Sequence, residues 1–248
     1  MRSLTILELK KKVQDRGLLF WTIILPILFT VLFISVLTSG EEAEMRDAII
    51  VSIVPGYTVM FVFFIIISIC STILQDKNQG MIARLASTPL TRFEYLMGKW
   101  FPYMIVVMIQ IVILFVFGKL VYNIPFQQPF QLFLLSICLT FCVTGVGIAI
   151  AMLIKTENMG IAITQVIALG GAVLSGLWMP IDMMPDFIQT LAHYLPQYWA
   201  HQAFQDGMNG TLAAGNLLRT SSILCGFGVA GFLIALIRYP AFLKRAKN

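Results

Sequence analysis

Apolar residues occur along this chain in long uninterrupted stretches, separated by short polar segments. A bilayer core of roughly 30 Å is crossed by about 20 residues of helix, and the sequence holds six stretches of that length. The pattern therefore predicts six membrane-spanning helices, at residues 18–38, 49–74, 100–121, 130–154, 159–178 and 217–237.

Composition agrees with this pattern. Hydrophobic residues make up 58% of the chain, charged residues only 12%, and the mean hydropathy is +0.87, which is outside the range of soluble globular proteins. The first stretch is longer than the apolar core of a cleaved signal peptide and no A-x-A site follows it, so we expect it to remain as an anchor. We predict an all-α membrane protein that forms one transmembrane domain over residues 1–248.

The positive charges are distributed unevenly between the two sides of the predicted membrane. Fourteen of the seventeen Lys and Arg residues lie before the first span, between spans two and three, between spans four and five, or after the last span. We name this the basic side, and the opposite side, which carries seven of the twelve acids, the acidic side. Short cytoplasmic segments keep the positive charges, so we expect both termini in the cytoplasm and a cell-membrane location. Topology then accounts for the net charge of +5, and a nucleic-acid partner is not indicated.

Residues 1–17 predict a short helix ahead of the first span. Ile6, Leu9 and Val13 share one helical side, while Lys and Arg occupy much of the remainder. Such a helix lies along the membrane interface, where basic side chains meet anionic lipid. A simple charged flank that fixes topology, and a segment that binds a partner, both remain open.

Residues 75–99 form the longest stretch on the basic side. The residue before a proline avoids helical geometry, so Thr88-Pro89 ends any preceding helix. Thr91 and Glu94 have the spacing of a capping box, which predicts that a new helix begins at Thr91 and continues into the third span. A short transverse helix at about 78–86 remains, and a helix held between two spans can transmit force from a soluble partner. An amphipathic interfacial linker is the alternative.

Residues 179–216 predict a helical hairpin on the acidic side. Pro185 and Pro196 suit the first turn of a helix and Gly207 suits a helix end, which gives helices at about 185–194 and 196–206. These helices are too short to span the membrane, so we expect a re-entrant hairpin that caps the exit of a translocation path. Its candidate gate residues are Pro180, Pro185, Pro196 and Trp199.

Residue types that carry catalysis or bind metals do not form a recognisable pattern. His193 and His201 are not part of an H-E-x-x-H motif, and we interpret both as solvated or interfacial. All four cysteines fall inside predicted spans; Cys138 and Cys142 share a helix face, which we interpret as packing. Several glycines indicate close approach of helices, namely Gly145, Gly147, Gly170, Gly171, Gly176, Gly226, Gly228 and Gly231.

Two segments resemble a known family. RLASTPLTRFEYLMGK (84–99) is similar to the region before the third span in bacterial ABC type-2 transporter permeases, and GLWMPIDMMPDFIQTLAHYLPQYW (176–199) resembles their outer hairpin. The resemblance covers the whole chain and implies a dimerising subunit, with a second copy or a paralogue, that exports a substrate using ATP hydrolysed by a separate P-loop ATPase. It also implies that a coupling segment contacts that ATPase through Gly80, Arg84, Leu85, Ser87, Thr88, Pro89 and Arg92.

The chain has no P-loop of its own. Gly98-Lys99 and Gly118-Lys119 lack both the earlier glycine and the following Ser or Thr of that motif. We therefore expect a transport subunit that is not itself an enzyme and binds no cofactor, with ATP and Mg²⁺ on the partner subunit. The short linker after the first span favours a small amphipathic cargo such as a drug, antibiotic, lipid, peptide or glycan.

An ion-gradient-driven secondary transporter or channel is the alternative. Such proteins place ionisable groups inside the membrane to bind protons or sodium. No Asp or Glu lies within the predicted spans, where Gln110 and Gln165 are the main polar residues. The sequence thus favours the ATP-driven exporter.

Overall fold

A computed structural model of the protein describes residues 2–40, 42–82, 91–178 and 181–247. Within those ranges the regular structure is helical, and six helical stretches are long and apolar enough to cross a membrane. The all-α prediction and the number of spans are confirmed. In order, the spans are Gly17–Leu37, Ile49–Asn78, Arg92–Tyr122, Pro129–Leu153, Glu157–Leu174 and Ala214–Lys244.

Several spans are built from more than one helical segment. The first joins helices Arg16–Leu19 and Leu25–Leu37 through a π-helical turn, Phe20–Ile24. The second joins Ala43–Phe63 to Ile65–Asn78. The fifth joins Glu157–Gln165 to Gly171–Leu174 through a second π-helical turn, Val166–Gly170. The sixth lies within one helix, Ala214–Lys247, and a separate N-terminal helix, Arg2–Gln14, precedes the first span.

The second and fourth spans are the inner helices of the bundle. Of their most apolar stretches, 78% and 67% of residues are buried, against 28% to 33% for the other four spans. Most residues in those stretches of the other four spans are therefore at least partly exposed at the surface of the chain.

Glycines let the fourth and sixth spans cross closely. A methyl group on Gly145 would lie 2.5 Å from the carbonyl oxygen of Gly228, and one on Gly231 would lie 2.6 Å from the Gly145 carbonyl. Real Cβ atoms do not approach backbone so closely, so the crossing requires glycine. Other glycines singled out from the sequence do not have this role, since Gly170 and Gly226 face open space.

Two helices lie on the acidic side between the fifth and sixth spans: a short helix, Asp186–Ala192, and a long helix, Pro196–Asn209. Pro196 occupies the first turn, as predicted, whereas Pro185 is the residue that precedes the short helix rather than part of its first turn. The prediction that Gly207 ends the long helix is wrong. Gly207 is buried against Leu132, and the helix continues to Asn209 because Gly210 supplies the left-handed conformation, with φ of +80°.

Two buried side chains fasten the long helix to the spans beneath it. Nε2 of His201 lies 3.1 Å from the carbonyl oxygen of Ser52 in the second span, so the ring donates to a carbonyl. The interpretation of His201 as solvated or interfacial is therefore wrong, although His193 is exposed. Gln197 donates through Nε2 to the carbonyl of Ile167, 3.1 Å away in the π-helical turn of the fifth span.

Candidate functional site

Four charged side chains, those of Glu8, Lys12, Asp76 and Lys99, are buried together on the basic side, where the N-terminal helix meets the second and third spans. Nζ of Lys99 donates to Oε1 of Glu8 at 2.7 Å and also to Oδ2 of Asp76. The exposed fractions are 0% for Lys99, 1% for Glu8 and 4% for Asp76. We name the group Glu8, Lys12, Asp76, Lys99 and Tyr103 the buried charge junction.

Helical spacing brings these groups to one place. Asp76 continues the buried face of the second span, at positions i, i+4 and i+7 with Ile69 and Ile73. Lys99 lies on the buried face of the third span, four residues before Tyr103. In the N-terminal helix, Glu8 and Lys12 are one turn apart and face the spans. In each of the three helices, the charged residues therefore lie on the side that packs against the rest of the protein.

Lys12 forms the second part of the junction. Its Nζ donates to Oγ1 of Thr72 at 2.9 Å and to the hydroxyl of Tyr103, which in turn donates to the carbonyl of Ser68 at 2.8 Å. Burial lowers the pKa of Lys12 to about 8; the charge of Glu8 opposes that shift and the charge of Lys99 adds to it. Burial therefore makes the charged form of Lys12 less favourable, and the negative charge of Glu8 offsets part of that free-energy cost.

Lys11 lies at the edge of the junction. Its Nζ is 3.6 Å from Oε1 of Glu8 and 3.9 Å from Oδ1 of Asp76, and its side chain is 46% exposed. An exposed ion pair of this kind contributes about 0–1 kcal/mol, whereas removing one partner of a buried pair costs about 3–5 kcal/mol. The junction is therefore held mainly by Lys99 between the two carboxylates.

The junction lies at the two ends of segment 75–99, where the segment joins the second and third spans. The helix of the second span continues to Asn78 and ends in a turn at Gly80, whose φ is +69°. The third span begins with the predicted capping box, which is confirmed: the Glu94 N–H donates to Oγ1 of Thr91 at 3.2 Å, and the Thr91 N–H donates to Oε2 of Glu94 at 3.0 Å. Asp76 and Lys99 are thus within two helical turns of the two ends of this connection.

The candidate coupling residues are only partly described. Gly80 occupies the turn after the second span, and Arg92 is exposed in the first turn of the third. Outside the described residues lie Arg84, Leu85, Ser87, Thr88 and Pro89, the part of the predicted transverse helix at 83–86, and the candidate gate residue Pro180. The start predicted for that helix is wrong, because Asn78 still belongs to the helix of the second span and a turn follows it at 79–80. Of the other gate residues, Trp199 donates through Nε1 to the carbonyl of His193 at 2.9 Å, and the guanidinium of Arg219 lies 4.2 Å from its ring centroid.

One expectation from the sequence needs correction here. No acid was expected within a span, yet Asp76 lies in the helix of the second span and is buried, because that helix continues beyond Leu74 and Lys99 supplies a counter-ion. In the N-terminal helix Ile6 is 56% exposed, while Glu8 and Lys12 lie on the side that packs on the protein. If the helical spacing of the buried positions is continued beyond the ends of the apolar stretches, it predicts that Asp76 and Lys99 are also buried.

Comparison with known proteins identifies the family. The family model described as "ABC-2 family transporter protein" matches residues 43–237. The chain belongs to the ABC-2 family. The match begins within the helix that enters the second span and ends in the sixth, so this ABC-2 permease has the family's domain over most of its length.

Three relatives indicate what kind of permease resembles this chain. The linearmycin resistance permease protein LnrN of Bacillus subtilis is 29% identical over 206 residues, which are 82% of this chain and 51% of LnrN. The putative transport permease YvfS of the same organism is 26% identical over 80% of this chain and 81% of its own length. The probable multidrug ABC transporter permease YbhR of Escherichia coli is 28% identical over 50% of this chain and 34% of YbhR. The ABC-2 permease thus spans about half the length of LnrN and matches YvfS over most of both chains.

Proposed function

We propose that this ABC-2 permease is the membrane subunit of an ATP-binding-cassette exporter. A separate P-loop ATPase subunit hydrolyses ATP, and a second copy or a paralogue completes the membrane part. The cargo is a small amphipathic compound that leaves across the cytoplasmic membrane. Family membership and the names of LnrN and YbhR support this proposal, since the first is a resistance permease and the second a probable multidrug permease.

Charge supports the orientation. With most Lys and Arg residues on the basic side, the positive-inside rule places that side in the cytoplasm. Segment 75–99 and the N-terminal helix then face the ATPase, and the helices at 186–209 lie at the outer surface. In this arrangement Pro180, Pro185, Pro196 and Trp199 would act at the exit of the transport path.

The buried charge junction is the observation that carries the proposal. Asp76 lies on the second span and Lys99 on the third, at the two ends of the coupling segment. Lys99 binds both Asp76 and Glu8 of the N-terminal helix. A push on the segment therefore acts on three helices that move together, because separating them would leave charges buried without partners. Closure of the ATPase subunits would then tilt the second and third spans as a unit and open the path.

Charge reversal at Arg84 and added bulk at Ser87 test the coupling. The full complex, purified with its ATPase and reconstituted in liposomes, is compared with the variants Arg84→Glu and Ser87→Trp. We expect both to keep normal membrane insertion and to lose transport and substrate stimulation of ATP hydrolysis. Lys155→Glu is the matched control, because Lys155 is an exposed basic-side residue in the loop between the fourth and fifth spans.

Two outcomes would contradict the proposal. Normal substrate-stimulated hydrolysis and transport in both variants would exclude segment 75–99 as the coupling segment. Transport by the permease alone in liposomes, driven by an ion gradient and without an ATPase, would show a secondary transporter instead.

A further inference from the structure

A polar cavity of about 560 Å³ opens on the acidic side, at the opposite end of the bundle from the junction. Its size lies within the roughly 300–1,000 Å³ of small-molecule sites. Three elements enclose it: the start of the second span, the turn after the third span and the last turns of the long helix. Its lining residues are Ile50, Val51, Ser52, Tyr122, Asn123, Ile124, Pro125, Gln205, Asp206 and Asn209.

Hydrogen bonds hold the three walls together. The backbone N–H of Gln127 donates to the carbonyl of Met208 at 3.3 Å, and that of Gln128 donates to the carbonyl of Gly207 at 3.1 Å. These bonds fix the turn after the third span to the end of the long helix. The contact of 3.1 Å between His201 and the Ser52 carbonyl fixes the long helix to the second span. The cavity is therefore formed by the fold itself, and a ligand would not need to order its walls.

Asp206 is the charged residue among those that line the cavity, and its position is electrostatically unfavourable. It lies in the last turn of the long helix, Pro196–Asn209, where the helix dipole disfavours a negative charge. Partial burial raises the pKa of its carboxyl, and the Thr211 hydroxyl, 3.5 Å away, opposes that shift. Within the described residues no Lys or Arg nitrogen lies within 4.0 Å of the Asp206 carboxylate. A cation in the cavity would offset the free-energy cost that partial burial and the helix dipole impose on the charged carboxylate.

The other polar groups of the lining suit an ammonium group. Asn123, Gln205 and Asn209 offer amide oxygens, and Tyr122 offers an aromatic face to which a cation is attracted. Among the described residues neither Lys nor Arg lines the cavity. Arg46, one helical turn before Ile50, is close enough for its charge to act on Tyr122, and Arg219 lies over the ring of Trp199. A ligand that presents an anion to these walls would gain no counter-ion from them.

We propose that this cavity binds a small organic cation through an ion pair between its ammonium group and Asp206. The inference does not depend on the proposed function, since binding to the acidic side requires neither an ATPase nor transport. The ammonium group can belong to a soluble amine or to the headgroup of a zwitterionic lipid, which share this chemistry.

Benzylamine and benzyl alcohol are suitable probes because they have the same shape and differ in charge. Their binding to the purified full chain in detergent is measured by calorimetry at constant ionic strength. We expect benzylamine to bind at least about tenfold more tightly, as the loss of one charge-assisted hydrogen bond predicts. Equal affinity of the two probes for the wild-type chain would overturn the proposal without the use of any variant.

Asp206→Asn keeps the shape of the side chain and removes its charge, so it should reduce benzylamine affinity by about tenfold or more. The matched control is Asp182→Asn, because Asp182 is an exposed acid on the same side that does not line the cavity. A folded Asp206→Asn variant with unchanged benzylamine affinity would also overturn the proposal.

Nanodiscs distinguish the two sources of the ammonium group. Competition with benzylamine in phosphatidylethanolamine discs, but not in phosphatidylglycerol discs, would support a lipid headgroup in the cavity. Equal benzylamine binding in both kinds of disc would support a soluble amine. A loss of ATP-driven transport in the separate coupling experiments would leave these binding results unaffected.

Discussion

Nζ of Lys99 lies 2.7 Å from Oε1 of Glu8, although the two residues are 91 positions apart in the chain. This contact joins the N-terminal helix to the third span, and Asp76 extends it to the second span. Lys99→Met should lower the free energy of unfolding by about 3–5 kcal/mol, because it removes the buried counter-ion of two buried carboxylates and leaves them only the exposed Lys11, at 3.6 and 3.9 Å. Denaturant titration in detergent measures this loss.

Lys11→Met is the control for this substitution, since the exposed Lys11 contributes only about 0–1 kcal/mol through its ion pairs. The quadruple variant Glu8→Leu, Lys12→Met, Asp76→Leu, Lys99→Met should recover most of the lost stability, because it removes the buried cations together with the buried carboxylates, and apolar replacement of a buried ion group is often neutral. Equal losses for Lys99→Met and Lys11→Met would show that the junction does not stabilise the fold.

Acid should destabilise the permease through His201. Burial lowers the pKa of this imidazole from 6.5 to about 4, although the hydrogen bond with the Ser52 carbonyl opposes the shift. As pH falls below 6.5, His201 takes up a proton in the unfolded chain but not in the folded one, so stability is lost between pH 6.5 and 4. The full effect is about 3 kcal/mol.

Thermal unfolding across this pH range is compared with that of His201→Gln, which keeps a donor for the Ser52 carbonyl. We expect a smaller acid-induced fall in Tm for this variant. His193→Gln, which changes an exposed histidine, should behave as the wild type does. Identical pH profiles for all three chains would refute the assignment.

Gly145→Ala should disrupt the crossing of the fourth and sixth spans. The new methyl group would meet the Gly228 carbonyl oxygen at 2.5 Å, so one helix must shift, at a cost of about 1–3 kcal/mol. Gly226→Ala places its methyl group in open space and should be neutral or slightly stabilising, since alanine is the better helix former. Thermal unfolding of the two variants checks this difference, and a similar Tm for both would contradict the crossing.

Gln110→Leu should stabilise the permease. Gln110 is 1% exposed in the third span, and neither atom of its amide has a hydrogen-bond partner among the described residues. A buried amide without partners costs about 1–3 kcal/mol, and leucine of similar size removes that cost. A higher Tm in detergent is expected. A lower Tm would instead indicate that the amide forms hydrogen bonds in the folded protein.

The spans, the capping box at Thr91 and the first turn at Pro196 could be predicted because each depends on local pattern. The burial of His201 could not, since it depends on the Ser52 carbonyl, which is distant in the chain; helical phase indicates that Asp76 is buried but does not show that Lys99 is its partner. A polar residue near the end of an apolar run is typical of the end of a membrane span. Only the packing of other helices shows that the membrane protein encloses it.

The π-helical turn Val166–Gly170 keeps the buried side of the fifth span in register. Gly160, Thr164, Ala168 and Ala172 are all buried at a strict spacing of four residues. In a regular α-helix, each step of four residues rotates the side chain by about 40°, so three steps would turn this stripe through about 120°. The extra residue of the π turn compensates for about 100° of that rotation. Deleting one residue from 166–170 would therefore rotate Ala172 out of the protein, and the fifth span should tolerate substitution there far better than deletion.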